Sequence, residues 1–251
     1  TAVNSTSLKG QVALVTGAAI RLGRAVAEAL ASEGVHIVLH YRGSPAANEA
    51  AERIREAGVQ CWTVQADLSD PKAAGALLPL AAQLCGHPID ILINSAAIFE
   101  PSKVLEFTPE DLERNVRVNA LAPLLLARAF AAQQRPGQII NFLDTRIVEY
   151  DRLHAAYHLS KRMLFSITRM LALELAPTIR VNAVAPGLIL PPPGRDEAYF
   201  EGLARGVPLR RHGGAEDIVR TVLFLLESDF ITGQVIYVDG GQHLVGSLYG
   251  T

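Results

Sequence analysis

Tyr157 and Lys161 stand four residues apart in Tyr157-His158-Leu159-Ser160-Lys161. On a helix that spacing puts both side chains on one face. A free phenol titrates near ~10, too high to give and take a proton efficiently at neutral pH; a cation alongside favours the phenolate and lowers that value. The pair is a candidate proton donor with its tuning charge. By itself the spacing is common by chance. It gains force from a second motif near the start of the chain.

There, Thr16-Gly17-Ala18-Ala19-Ile20-Arg21-Leu22-Gly23 follows a β-rich run and opens a helical one. A strand that turns sharply into a helix aims the helix's free N–H groups at a pyrophosphate. Gly17 permits the turn and Gly23 permits close packing of helix on strand, with Arg21 and Leu22 between them. The end of the second β-rich run separates the two dinucleotides. NAD sites place an acid there for the ribose hydroxyls, whereas NADP sites place basic or hydroxyl groups for the 2′-phosphate. Here the run ends His40-Tyr41-Arg42-Gly43-Ser44, and the next acid is Glu49. Arg42, His40 and Ser44, with Tyr41 among them, suit a dianionic phosphate, so the expected cofactor is NADPH. Asp67-Leu68 ends the third run; Asp67 either accepts from an adenine amino group or shares a helix-capping box with Asp70.

Short apolar, β-branched runs alternate with helical stretches along the whole chain. The expected strands are 12–16, 36–39, 60–65, 89–94, 138–143, 180–185 and 234–238; the expected helices are 21–33, 46–57, 72–84, 110–131, 157–175 and 215–227. The runs lack clean alternation, as strands buried on both faces do. Gly34, Gly58 and Gly86 fall where helices should end. The pattern predicts one α/β domain over residues 1–251, a doubly wound parallel sheet of seven strands with helices on both faces. Two stretches resist it: 188–205, Pro-rich at Pro191-Pro192-Pro193 and read as a substrate lid, and the tail 243–251.

Composition agrees. Of 251 residues, 49% are hydrophobic and 19% charged, which suits a globular chain and excludes a disordered one. A net charge of −2 gives no bulk electrostatic pull toward nucleic acid or anionic membrane. The longest apolar stretch, 121–132, is interrupted by Pro123 and Arg128 and falls short of a membrane span. Two cysteines, Cys61 and Cys85, make neither a disulfide scaffold nor a zinc site, and no metal is expected. They read as buried free thiols in a reducing cytoplasm.

With these pieces assembled, the chain resembles the short-chain dehydrogenase/reductase family over nearly its whole length. The matching residues are Thr16–Gly23, Asp67-Leu68, Asn94-Ser95-Ala96-Ala97, Asn119, Tyr157 with Lys161, Pro186-Gly187 and Val238-Asp239-Gly240-Gly241. The resemblance implies a Rossmann-type fold and a homotetramer. It also implies that Asn94 and Ala96 support the sheet and the nicotinamide ribose. Asn119 would hold a relay water, and Pro186-Gly187 would pack on the nicotinamide. The chain departs from the family where Arg21 replaces a Gly and Asn94-Ser95-Ala96-Ala97 replaces Asn-Asn-Ala-Gly. The largest departure is Asp144, thirteen residues before Tyr157, where family members carry Ser. A serine holds a carbonyl oxygen; an aspartate brings charge and suits a basic nitrogen heterocycle.

Arg21, His40-Tyr41 and Asp144 together are similar to the pterin-reducing branch, the pteridine and dihydromonapterin reductases. There Phe99 would match the aromatic on which the pterin stacks, and Arg21 the arginine that reaches cofactor phosphate and pterin. Each also has a plainer role: Asp144 as a loop cap, Phe99 as core, Arg21 as a phosphate ligand only. The reading is NADPH-dependent reduction of a pterin C=N bond, with Asp144, Tyr157, Lys161 and Asn119 as catalytic residues. The substrate contacts would be Arg21, Phe99, Asp144 and Tyr157. Its rivals are a carbonyl reductase of the same family and an NADP-sensing protein without turnover.

Overall fold

The computed structural model describes residues 7–191 and 197–245. Its seven strands are β1 (Val12–Thr16), β2 (His36–Tyr41), β3 (Cys61–Gln65), β4 (Ile91–Asn94), β5 (Gly137–Phe142), β6 (Ile179–Pro186) and β7 (Val235–Val238). They form one sheet in the order β3-β2-β1-β4-β5-β6-β7, and every neighbouring pair is parallel. A single-domain doubly wound sheet is therefore what the alternating pattern builds. β1, β4 and β5 are buried along nearly their whole length, which is why their sequences run apolar instead of alternating.

The helices are α1 (Arg21–Ser32), α2 (Ala47–Glu56), α3 (Pro71–Cys85), α4 (Pro109–Val116), α5 (Ala122–Ala131), α6 (Ala155–Leu175), α7 (Glu197–Ala204) and α8 (Ala215–Glu227). One face of the sheet is closed by α1, α2 and α8 around Leu30, Ile54 and Leu225. The other is closed by α3 and α5 around Leu77, Leu126 and Phe130. Local chemistry sets several boundaries. Asp70 accepts from the Lys72 amide at 2.9 Å and starts α3, and Gly86 ends it with φ of 70°. Thr108 and Asp111 form a reciprocal capping box on α4.

The structure differs from the sequence expectation in two places. The expected helix 110–131 is interrupted by a π-helical turn, Arg117–Leu121, which carries Asn119. Helix α6 starts two residues before Tyr157, so the tyrosine lies within its first turn. In the stretch read as a lid, α7 begins only after the proline run; Pro192 and Pro193 lie outside the described residues, as do 1–6 and the tail beyond 245. Cys61 is buried and Cys85 partly so, both unbridged, and burial pushes the Cys61 thiol up to about 11. No described helix is long and apolar enough to cross a membrane.

The strand order reverses between β1 and β4. In open parallel sheets a crevice forms at such a point, beyond the carboxyl ends of the strands. The turn after β1 and the loop after β5 both open into it.

Candidate active site

A cavity of about 750 Å³ occupies that crevice. Its near end is the turn between β1 and α1. Gly17 takes a left-handed φ of 66°, and a β-carbon on it would lie 3.0 Å from the Ala96 α-carbon. A β-carbon on Gly23 would lie 2.3 Å from the Gly17 carbonyl oxygen, so only glycine lets α1 begin here. No side chain caps α1, whose N-cap residue is Ile20; its first amides are what a pyrophosphate would engage. Thr16 Oγ1 accepts from the amides of Ser95 and Ala96, each at 3.1 Å, and ties the turn to β4. Arg21 itself is left-handed (φ 54°) and exposed. Its guanidinium donates to the Pro191 carbonyl at 3.2 Å, across the mouth of the cavity.

Beyond β2, Tyr41, Arg42 and Ser44 line the cavity, Arg42 being solvent-exposed. His40 lines it too, with both ring nitrogens turned to the backbone. Its Nδ1 accepts from the Gly17 amide at 3.2 Å, and its Nε2 faces the Ala66 carbonyl at 3.1 Å. Burial pushes its pKa down, so a neutral ring pins the phosphate turn to β3. Ser44 Oγ accepts from the Ala46 amide at 3.2 Å. Asp67 lines the cavity beside Leu68; the Ser69 amide and hydroxyl hold its carboxyl below the usual range. Asp70, not Asp67, caps the helix.

At the far end, Tyr157 and Lys161 meet as their spacing implied, with Asp144 beside them as the family resemblance implied. The Tyr157 hydroxyl donates to Asp144 Oδ2 at 2.9 Å. Lys161 Nζ donates to the Phe142 carbonyl at 2.8 Å and lies 5.7 Å from the Tyr157 ring centre. Burial lowers its pKa to about 8, with Asp144 opposing the shift. Pro186 and Gly187 form the wall opposite. Phe99 is 41% exposed and lines the cavity, so it is not core. Its ring meets the Tyr157 ring edge-on at 4.8 Å and stacks on His154 at 3.9 Å. His154 is absent from the cavity wall, and the Arg146 guanidinium carbon lies 4.8 Å from the Phe99 ring centre.

Two expected contacts are placed elsewhere. Asn94 is buried outside the cavity wall and donates to Asn141 Oδ1 at 2.8 Å, joining β4 to β5. Asn119 is fully buried. Its side chain bonds both the Ile98 amide and carbonyl, at 2.9 and 3.0 Å, and Ser160 Oγ at 3.0 Å. Asn119 thereby ties the segment before Phe99 to the helix that carries Tyr157.

The sequence reading missed Arg146 and Asp151. Arg146 is nearly buried, lines the cavity, and donates to Asp144 from Nη1 at 3.3 Å and to Asp151 from Nε at 2.9 Å. Asp151 also faces His154 and His158 at 3.0 and 3.2 Å. Hydrogen bonds from these partners hold its carboxyl far below the usual range despite burial. A run of charge between β5 and the Tyr157 helix was the one available sign. Among the described residues, no cluster of His, Cys, Asp or Glu could hold a metal ion.

Comparison with known proteins agrees with this geometry. Residues 17–243 match the family model described as enoyl-(acyl carrier protein) reductase. The structure superposes with a TM-score of 0.90 on FolM alternative dihydrofolate reductase 1 from Brucella canis complexed with NADP. The two are 35% identical, with 96% of this chain and 97% of that one covered. Pteridine reductase 1 of Leishmania tarentolae is 34% identical over 96% of this chain and 99% of its own. A 3-oxoacyl-[acyl-carrier-protein] reductase of Synechocystis is 32% identical over 94% and 98%. The chain belongs to the short-chain dehydrogenase/reductase family, a class of nicotinamide-dependent oxidoreductases.

Proposed function

We propose that this oxidoreductase uses NADPH to reduce a C=N bond of a dihydropterin or dihydrofolate-like ring. The observation that carries the reading is the hydrogen bond from the Tyr157 hydroxyl to Asp144, beside an aromatic platform open to the cavity. NADP(H) is the cofactor, and the residues present fit it: an uncapped helix start, a glycine turn with no room for a β-carbon, and Arg42 with Ser44 beyond β2. When bound it supplies the hydride.

The protein's own groups do the rest. Phe99 stacks on the planar ring. Tyr157 delivers the proton to the ring nitrogen as the adjacent carbon is reduced. Asp144 accepts from ring or amino N–H groups and orients the Tyr157 hydroxyl. Lys161 supplies the positive charge that favours the phenolate left behind. Arg21 spans the phosphate turn and the substrate mouth. In this reading the enzyme is a cytoplasmic homotetramer.

The test is NADPH oxidation with dihydrobiopterin, dihydromonapterin, dihydrofolate and a ketone panel. Turnover of a dihydropterin with ketones inert supports the proposal. Ketone turnover alone favours a carbonyl reductase, the activity in the name of the Synechocystis relative. NADPH binding with no turnover of either favours a sensor.

A further inference from the structure

We propose that Arg146, anchored by Asp151, balances the charge of Asp144 at the Phe99 platform and so makes the pocket select a neutral ring over a protonated one. This deepens the pterin reading and rests on it. An aspartate facing a nitrogen heterocycle in a partly dry cavity, left alone, favours a cationic ring, because a buried carboxylate without a counter-charge is costly. Asp144 is not left alone. Arg146 Nη1 lies 3.3 and 3.4 Å from its two carboxylate oxygens, and the Arg146 amide donates to Oδ1 at 2.9 Å.

Arg146 is itself fixed. Its Nε donates to Asp151 Oδ2 at 2.9 Å, and the Asp151 side chain is only 3% exposed. The guanidinium carbon lies 4.8 Å from the centre of the Phe99 ring. Around the platform, Arg146 and Lys161 stand with Asp144 on the cavity wall, and Asp151 lies behind it, where it also faces His154 and His158 at 3.0 and 3.2 Å. Glu149, also within electrostatic range, is buried, and burial pushes its carboxyl toward the neutral form. A neutral 2-amino-4-oxo ring meets an Asp144 already paired with Arg146. A protonated ring would add a charge without a partner.

Arg146 is therefore a positioning and selectivity residue that acts through Asp144. Its test reads ligand charge as well as activity. The probes are pterin (2-amino-4-oxopteridine) and the more basic 2,4-diaminopteridine. Each is titrated by its own fluorescence against the NADP-bound enzyme and its Arg146→Met and Arg146→Lys variants. Arg146→Met should shift the affinity ratio toward the diamino ring by about tenfold or more, as loss of one neighbouring charge in a partly dry site implies. Arg146→Lys keeps the charge but cannot reach Asp144 and Asp151 together, so its ratio should shift toward the diamino ring by less than that of Arg146→Met. NADPH affinity reports that the fold is kept; if the methionine variant fails that check, Arg146→Gln replaces it. An unchanged ratio in a folded, charge-removed variant overturns the proposal. A wild type that binds both probes but turns over no dihydropterin overturns the proposed function while the ratio still decides the role of Arg146. A wild type that binds neither overturns both.

Discussion

At Asp144, one side chain separates two chemistries. Asp144→Ser leaves the cofactor end of the cavity untouched, so NADPH affinity should hold. Dihydropterin turnover should fall roughly a hundredfold, the usual loss for a positioned acid–base group, while ketone reduction holds or rises because the family's serine is restored. Retained pterin turnover would remove Asp144 from the mechanism. Lys161 gives a pH dependence. Its pKa in the fold, about 8, lies below the ordinary lysine value because of burial, so the ammonium is present below about pH 8 and lost above it. If that charge favours the Tyr157 phenolate, kcat/KM for NADPH, which reports the free enzyme, should fall as pH rises through about 8. Lys161→Arg, charged throughout, should move that limb to higher pH; a limb that stays in place would assign it to another group.

At the element scale, the proposed cofactor preference rests on the loop between β2 and α2. His40 is withdrawn into the fold, holding the Gly17 amide and the Ala66 carbonyl, so discrimination falls to Arg42 and Ser44. NADPH should bind well over tenfold more tightly than NADH, as a guanidinium–phosphate pair implies. Arg42→Asp should narrow or invert that preference, measured by cofactor fluorescence, whereas equal affinities for the two cofactors in the wild type would defeat the assignment. The π-helical turn at Arg117–Leu121 serves the same end of the molecule. It sets Asn119 against Ile98 and Ser160, locking the segment leading to Phe99 onto the helix that carries Tyr157.

For the whole molecule, the outer face of α6 is the conspicuous feature. Leu159, Met163, Met170 and Leu173 are all exposed there, Leu173 by 83%, at spacings that keep them on one stripe. Such a stripe on a single chain is an unfilled contact, and the proposed homotetramer would cover it. Light scattering at micromolar concentration should give a tetramer mass. The double change Met170→Glu with Leu173→Glu should lower that mass while the chain keeps its fold by circular dichroism. A wild-type monomer would refute the assembly.

With Asp144 supplied by the family resemblance, the sequence by itself determined the sheet, the phosphate turn and the Tyr157–Lys161 pair. These follow from local signals: apolar runs buried on both faces, glycines where no β-carbon fits, and a four-residue helical spacing. Only the tertiary structure decided the roles of His40, Asn94 and Asn119. Each carries a side chain able to meet a ligand, and each spends it on backbone or sheet contacts from segments distant in sequence. The same holds for Arg146 and Asp151. Nothing in their spacing marks them, because what makes them matter is a counter-charge placed beside Asp144 and Phe99 by the loop's path after β5. A residue's chemistry is written in its type, but its partner is set by the fold.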